Sequence, residues 1–87
     1  MRGISFDPEA FEQYSDWAKA DKKLFERIRR LIIDTARDPF LGIGKPEPLR
    51  GSLRGYWSRR ITDEHRLVYK VTDSHITILS CKFHYSE

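Results

Sequence analysis

Apolar and polar positions alternate at the start of the chain, Ile4 and Phe6 against Gly3 and Ser5, which predicts a short strand over Arg2 to Phe6. Asp7-Pro8 ends it, since Asp7 can cap a helix whose first position suits Pro8. Phe11, Tyr14, Trp17 and Ala18 then recur at helical spacing and predict a first helix of about three turns. Asp21 can cap a second helix, whose stripe of Leu24, Ile28, Leu31, Ile32 and Thr35 leaves Arg27, Arg30 and Arg37 off the apolar face. Pro39 halts it near Arg37, and the two helices form a hairpin.

Asp38 to Pro48 is a loop, because three prolines and two glycines in eleven residues interrupt any regular ladder. Beyond it the period changes. Tyr56 to Ile61, Arg66 to Val71 and Ile76 to Phe83 are rich in β-branched and aromatic residues and predict strands, with Thr72-Asp73-Ser74 as the turn between the last two. An extended piece around Leu49 adds an edge strand. Helices followed by strands indicate an α+β fold, two N-terminal helices packed on one face of a small, largely antiparallel sheet, in one domain spanning residues 1–87.

With 87 residues and one third of them charged, the core must be thin, and the large aromatics have to supply much of it. Cys81 is the single cysteine, so no internal disulfide is available, and His65, His75 and His84 are too scattered to suggest a metal site. The N-terminus lacks a secretion-signal pattern and no run approaches the ~20 apolar residues of a membrane span, so the expected location is cytoplasmic, away from the membrane. The net charge of +3 is unevenly placed. Residues 1–40 carry eight basic and eight acidic side chains, residues 41–87 eight against five. Lys45, Arg50, Arg54, Arg59 and Arg60 surround a single acid, Glu47, which marks a site for an anion such as phosphate.

Glu47 stands between Pro46 and Pro48, whose rings stiffen the backbone that presents it. A carboxylate there repels phosphate. It makes sense as a general base beside a bound phosphodiester, or as a surface glutamate neutralising Lys45 or Arg50. His84 is the best candidate proton carrier, being a side chain that titrates near neutrality, with an ordinary terminal imidazole as the other reading. His65 and His75 read as ordinary histidines. Arg59, Arg60 and Arg66 could grip phosphate oxygens, but strand alternation places Arg60 with Tyr56 and Ser58, and Arg59 with Trp57 and Ile61. One of the adjacent pair binds while the other braces or reaches from the side. A site shared by Arg66 and His84 further requires a three-residue connection, a bulge or a bent terminus in the last hairpin. Trp57 and Phe83 are assigned to packing, Tyr85 to the site, and Cys81 to the role of a small buried hydrophobe.

The string GIGKPEPLRGSLRGYWSRRITDEHRLVYKVTD, preceded by DTARDPF and followed by CKFHY, resembles the YoeB family of bacterial toxins within the RelE-like superfamily. The resemblance covers nearly the whole chain and rests on four motifs in order: KPEPL, GYWSRRI, EHRLVY and the terminal His-Tyr. It implies a ribosome-dependent endonuclease that cuts messenger RNA in the A site of the 70S ribosome without a metal or other cofactor. Carried over by position, it makes Glu47 the general base on a ribose 2′-hydroxyl and His84 the general acid. Arg66 stabilises the transition state, Arg60 orients the scissile phosphate, and Tyr85 shapes the nucleotide site. From the charge cluster itself, Lys45, Arg50 and Arg59 are expected to supply further phosphate contacts.

The implied partner is a YefM-like antitoxin with an acidic, flexible segment, and a homodimer is compatible with the family. Two departures stand out: Ser86 and Glu87 follow the tyrosine at which family chains commonly end, and Arg50 stands where lysine is frequent. Two other readings are a translation inhibitor that occupies the A site without needing to cut, and a gyrase poison of the ParE type.

Overall fold

Asp21 closes one helix and opens the next. Its extended backbone donates its N–H to Trp17 O at the end of α1 (Pro8–Ala20), and its carboxylate accepts from Leu24 N–H at the start of α2 (Lys22–Arg37). One residue therefore makes the helix hairpin. Asp7 occupies the N-cap of α1 with Pro8 behind it, but its side chain makes no capping bond. The computed structural model describes residues 1–83. His84, Tyr85, Ser86 and Glu87 lie outside the described residues.

Five strands form one sheet: β1 (Gly3–Phe6), β2 (Glu47–Pro48), β3 (Tyr56–Arg60), β4 (Arg66–Val71) and β5 (His75–Ser80), in the order β1-β5-β4-β3-β2. All neighbours run antiparallel except β1 and β5, which pair in parallel from Gly3 against His75 to Phe6 against Ile78. A short 3₁₀ turn, Gly51–Leu53, separates β2 from β3. Among the described residues no helix is long and apolar enough to cross a membrane.

Both helices pack on one sheet face. Ala10 of α1 and Ile28, Leu31, Ile32 and Ala36 of α2 meet Leu67, Tyr69, Ile76 and Ile78 in a single core. Burying a side chain of this size contributes about 1.5–3 kcal/mol, so the core is shallow but continuous. The α1 stripe is shifted from the expected one. Ala10 is fully buried whereas Phe11 is 57% exposed, because the smaller residue lets the helix approach Cys81, whose Sγ lies 3.7 Å from Ala10 O. Phe11 makes an edge-to-face contact with Phe6, ring centroids 5.8 Å apart.

The last strand stops at Ser80, short of the predicted Phe83. Side chains of α1 take over the ladder groups beyond it: Cys81 N–H donates to Gln13 Oε1 at 2.8 Å, and the Trp17 indole N–H donates to Cys81 O at 2.9 Å. Phe83, expected in the packing, is 60% exposed. Thr72 to Ser74 make the connection before β5, closed by Thr72 N–H to His75 O. Val68 pairs with Ser80 and Tyr69 with Ile78, so Leu79 is one residue too many on β5, a bulge.

Candidate active site

Register places the candidate residues on the helix-free face. Glu47 lies opposite Ser58, Ser58 opposite Val68, and Arg60 opposite Arg66, so Glu47, Ser58, Arg60 and Arg66 project together. With Lys45 they line a small cleft of about 60 Å³. Its walls carry three cations and one carboxylate, a balance that favours one bound anion beside one basic oxygen. Arg60 and Arg66 face each other directly across the strands, a like-charge pair that an anion between them relieves.

Each wall is fixed from behind. Arg66 donates through one terminal nitrogen to the carbonyls of Thr62, Asp63 and His65, so the turn before β4 holds its guanidinium plane. Arg60 N–H donates to Gly44 O at 2.6 Å, which ties the loop carrying Glu47 to β3. Gly44, at φ +80°, makes that approach possible: a Cβ there would stand 2.7 Å from Leu31 Cδ2.

Arg59 points the other way and is fully buried. Its guanidinium donates to Asp34 Oδ2 at 2.6 Å, to Ile43 O, Asp38 O and Leu41 O, and to Tyr69 Oη. Tyr69 in turn donates to Pro39 O. One side chain thus satisfies the carbonyls of a loop that has no ladder of its own. Burial pushes the Asp34 carboxyl up, but Ile43 N–H and Arg59 outweigh it and leave Asp34 below the usual carboxylate range. Burial raises Tyr69, so its phenol stays a donor. It also pushes the Cys81 thiol up to about 12, which makes that sulfur a packing atom.

At the other end of the cleft, Arg66 N–H donates to Phe83 O at 3.1 Å and Phe83 N–H donates to His65 Nδ1 at 2.8 Å. The chain segment that leads to His84 is thereby joined to β4 beside Arg66.

The model of a family described as YoeB-like toxin of bacterial type II toxin-antitoxin system matches residues 6–85. The chain belongs to that family. Toxin YoeB of Mycobacterium bovis is 58% identical over 85 residues, covering 98% of this chain and all of the relative. A solved YoeB dimer from Staphylococcus aureus is 50% identical at a TM-score of 0.88, covering 97% of this chain and 98% of that one. The YoeB-YefM toxin-antitoxin heterotetramer from the same organism is 50% identical at a TM-score of 0.87, with 98% and 99% covered.

In this YoeB-like toxin, Lys45, Glu47, Arg60 and Arg66 are brought together as the sequence suggested. Arg59 is not available to phosphate: it is the bracing member of the adjacent pair, its donors spent on the loop under the cleft. Arg50 is exposed beside the 3₁₀ turn and does not line the cleft. His84 and Tyr85 lie outside the described residues. Ser58, nearly fully buried between Glu47 and Arg60, carries no mark in the sequence, although its place opposite Glu47 follows from strand alternation once the β2–β3 register is known.

Proposed function

We propose that this toxin is an endoribonuclease that cuts messenger RNA in the A site of the ribosome by general acid–base catalysis. The observation that carries the reading is the meeting of one carboxylate, Glu47, with Lys45, Arg60 and Arg66 in one small cleft. RNA brings its own nucleophile, so a protein needs only alignment, proton transfer and electrostatic support.

Glu47 takes the proton of the ribose 2′-hydroxyl, whose oxygen attacks the adjacent phosphorus. The P–O bond to the next nucleotide breaks as His84 protonates the departing 5′-oxygen, leaving a 2′,3′-cyclic phosphate and a 5′-hydroxyl. Arg60 orients the phosphate, Arg66 stabilises the extra negative charge of the pentacovalent state, and Tyr85 shapes the nucleotide site. A site with so few proton carriers borrows alignment from elsewhere, and the ribosome supplies it. The partner that silences it is a YefM-like antitoxin, a reading supported by the YoeB-YefM complex of its Staphylococcus aureus relative and by the basic face that an acidic segment would cover. Self-association is supported by the YoeB dimer of that organism.

The test is to map RNA 5′ ends after adding purified protein to messenger RNA with and without translating ribosomes. Cuts in the A-site codon that need the ribosome, and that vanish when the ribose at the cut carries no 2′-hydroxyl, are expected. Rapid cutting of free RNA rejects ribosome dependence, and cleavage of the 2′-deoxy substrate rejects the cyclic-phosphate route. Full translational arrest by a Glu47→Gln, His84→Gln double variant would show that cutting is not the main activity.

A further inference from the structure

His65 occupies an unusual place for a residue that sequence alone marks as ordinary. Its ring lies edge-on against Trp17, with centroids 4.9 Å apart at 80°, and its Nδ1 is 2.8 Å from the backbone nitrogen of Phe83. A peptide N–H can only donate, so Nδ1 accepts and the imidazole proton sits on Nε2. The next residue, Arg66, donates its own N–H to Phe83 O at 3.1 Å. Both polar groups of Phe83 are therefore held by two consecutive residues at the entrance to β4.

The hold has a direction. Phe83 has φ +63°, a left-handed conformation that a bulky residue adopts only when its surroundings impose it. Phe83 is 60% exposed, with its ring tilted against that of His65 at 5.6 Å between centroids, so the clamp adds little to the core. What it does is fix the backbone of Phe83, the residue before His84, to the same Arg66 that lines the cleft.

We propose that His65 is a positioning residue for catalysis: it accepts the Phe83 N–H and, with the Arg66 backbone, fixes the chain immediately before His84, the residue read as the general acid. This rests on the endoribonuclease reading. It gives the start of β4 two tasks at one point, a guanidinium for the phosphate and a backbone clamp for Phe83. His65 itself is anchored by its N–H to Thr62 Oγ1, in the turn that also fixes Arg66.

The experiment compares full-length wild type, His65→Leu and His65→Asn in single-turnover cleavage on translating ribosomes, alongside thermal unfolding and exchange of the Phe83 amide. Leucine keeps an apolar contact on Trp17 and removes the acceptor; asparagine removes the ring and keeps an oxygen near Nδ1. We expect His65→Leu to slow cleavage on the order of 10²-fold, the scale of a small misplacement of a reacting group, with ribosome affinity unchanged. His65→Asn is expected to recover most of the rate although it is the less stable variant. Rates that follow stability instead, or a His65→Leu enzyme as fast as wild type, overturn the proposal. A wild type that does not cut overturns the endoribonuclease reading and is distinguishable from both. A Phe83 amide equally protected in all three proteins overturns the clamp whatever the cleavage result.

Discussion

Arg59 Nη1 and Asp34 Oδ2 lie 2.6 Å apart beneath the loop that carries Glu47 to the opposite face of the sheet. The arginine is fully buried and the aspartate side chain 29% exposed, so the pair joins the back of α2 to β3 while the loop folds over it. Removing the arginine strands the Asp34 carboxylate and the carbonyls of Asp38, Leu41 and Ile43 together. Arg59→Leu is expected to lower unfolding free energy by about 3–5 kcal/mol, as for other broken buried pairs. Arg59→Lys recovers little, since one ammonium cannot span acceptors on both sides of the loop. Urea titration of the three proteins measures it; a Lys variant as stable as wild type contradicts the multipoint role.

The same pair sets an acid limit. Asp34 titrates below its ordinary 3.8 in the folded chain, so its contribution is fully present above that value and is lost as the pH falls through the folded one. Wild type is therefore expected to lose more stability between neutral pH and pH 3 than Asp34→Asn, which starts lower. Chemical denaturation at pH 7 and pH 3 reads the difference, and parallel losses in the two proteins count against it.

Much of this was legible in the chain. Helix boundaries followed from Asp21 and Pro39, and the face shared by Ser58 and Arg60 from alternation alone. The bulge named as one way for Arg66 and His84 to share a site is present, with Leu79 as the extra residue, while the turn itself keeps the two-residue Asp73-Ser74 register, Val71 pairing with Ile76. What could not be read was anything set by partners distant in sequence. Whether Arg59 or Arg60 would brace depended on Asp34, and the early end of β5 on Gln13 and Trp17 reaching Cys81. His65 looked ordinary because its partner is a backbone N–H eighteen residues away, and peptide groups leave no mark in a sequence.

Cys81 offers a chemical check on the packing. Its thiol is buried against Ala10 and pushed up to about 12, so the reactive thiolate is scarce at pH 8. Native protein is expected to resist iodoacetamide at pH 8 and to react at one site per chain once unfolded in urea. Rapid alkylation of the native protein would mean that the α1–β5 contact opens readily.

Glu47 separates folding from chemistry. It lies on a two-residue edge strand outside the core, so Glu47→Gln should keep the fold, with a small drop in melting temperature for the carboxylate lost among Lys45, Arg60 and Arg66. The same change removes the base, and general-base action is typically worth ~10²–10⁴-fold, so single-turnover cleavage should fall within that range with ribosome binding retained. A loss of less than tenfold assigns proton removal to another group.

Arg60 and Arg66 make the opposite case, in which stability and activity part company. They face each other across β3 and β4, and like charges so placed oppose strand pairing. Arg60→Gln is therefore expected to raise the melting temperature of the free protein by a few degrees at most, while slowing cleavage through loss of phosphate orientation. Inorganic phosphate separates charge relief from better packing: an anion that binds only the folded state stabilises it by mass action, so it should raise the melting temperature of wild type more than that of Arg60→Gln. The two melting curves should then converge as phosphate is added, because bound anion relieves in wild type the repulsion that the substitution has already removed. Curves that stay parallel place the repulsion, and the anion, somewhere other than between these two guanidiniums.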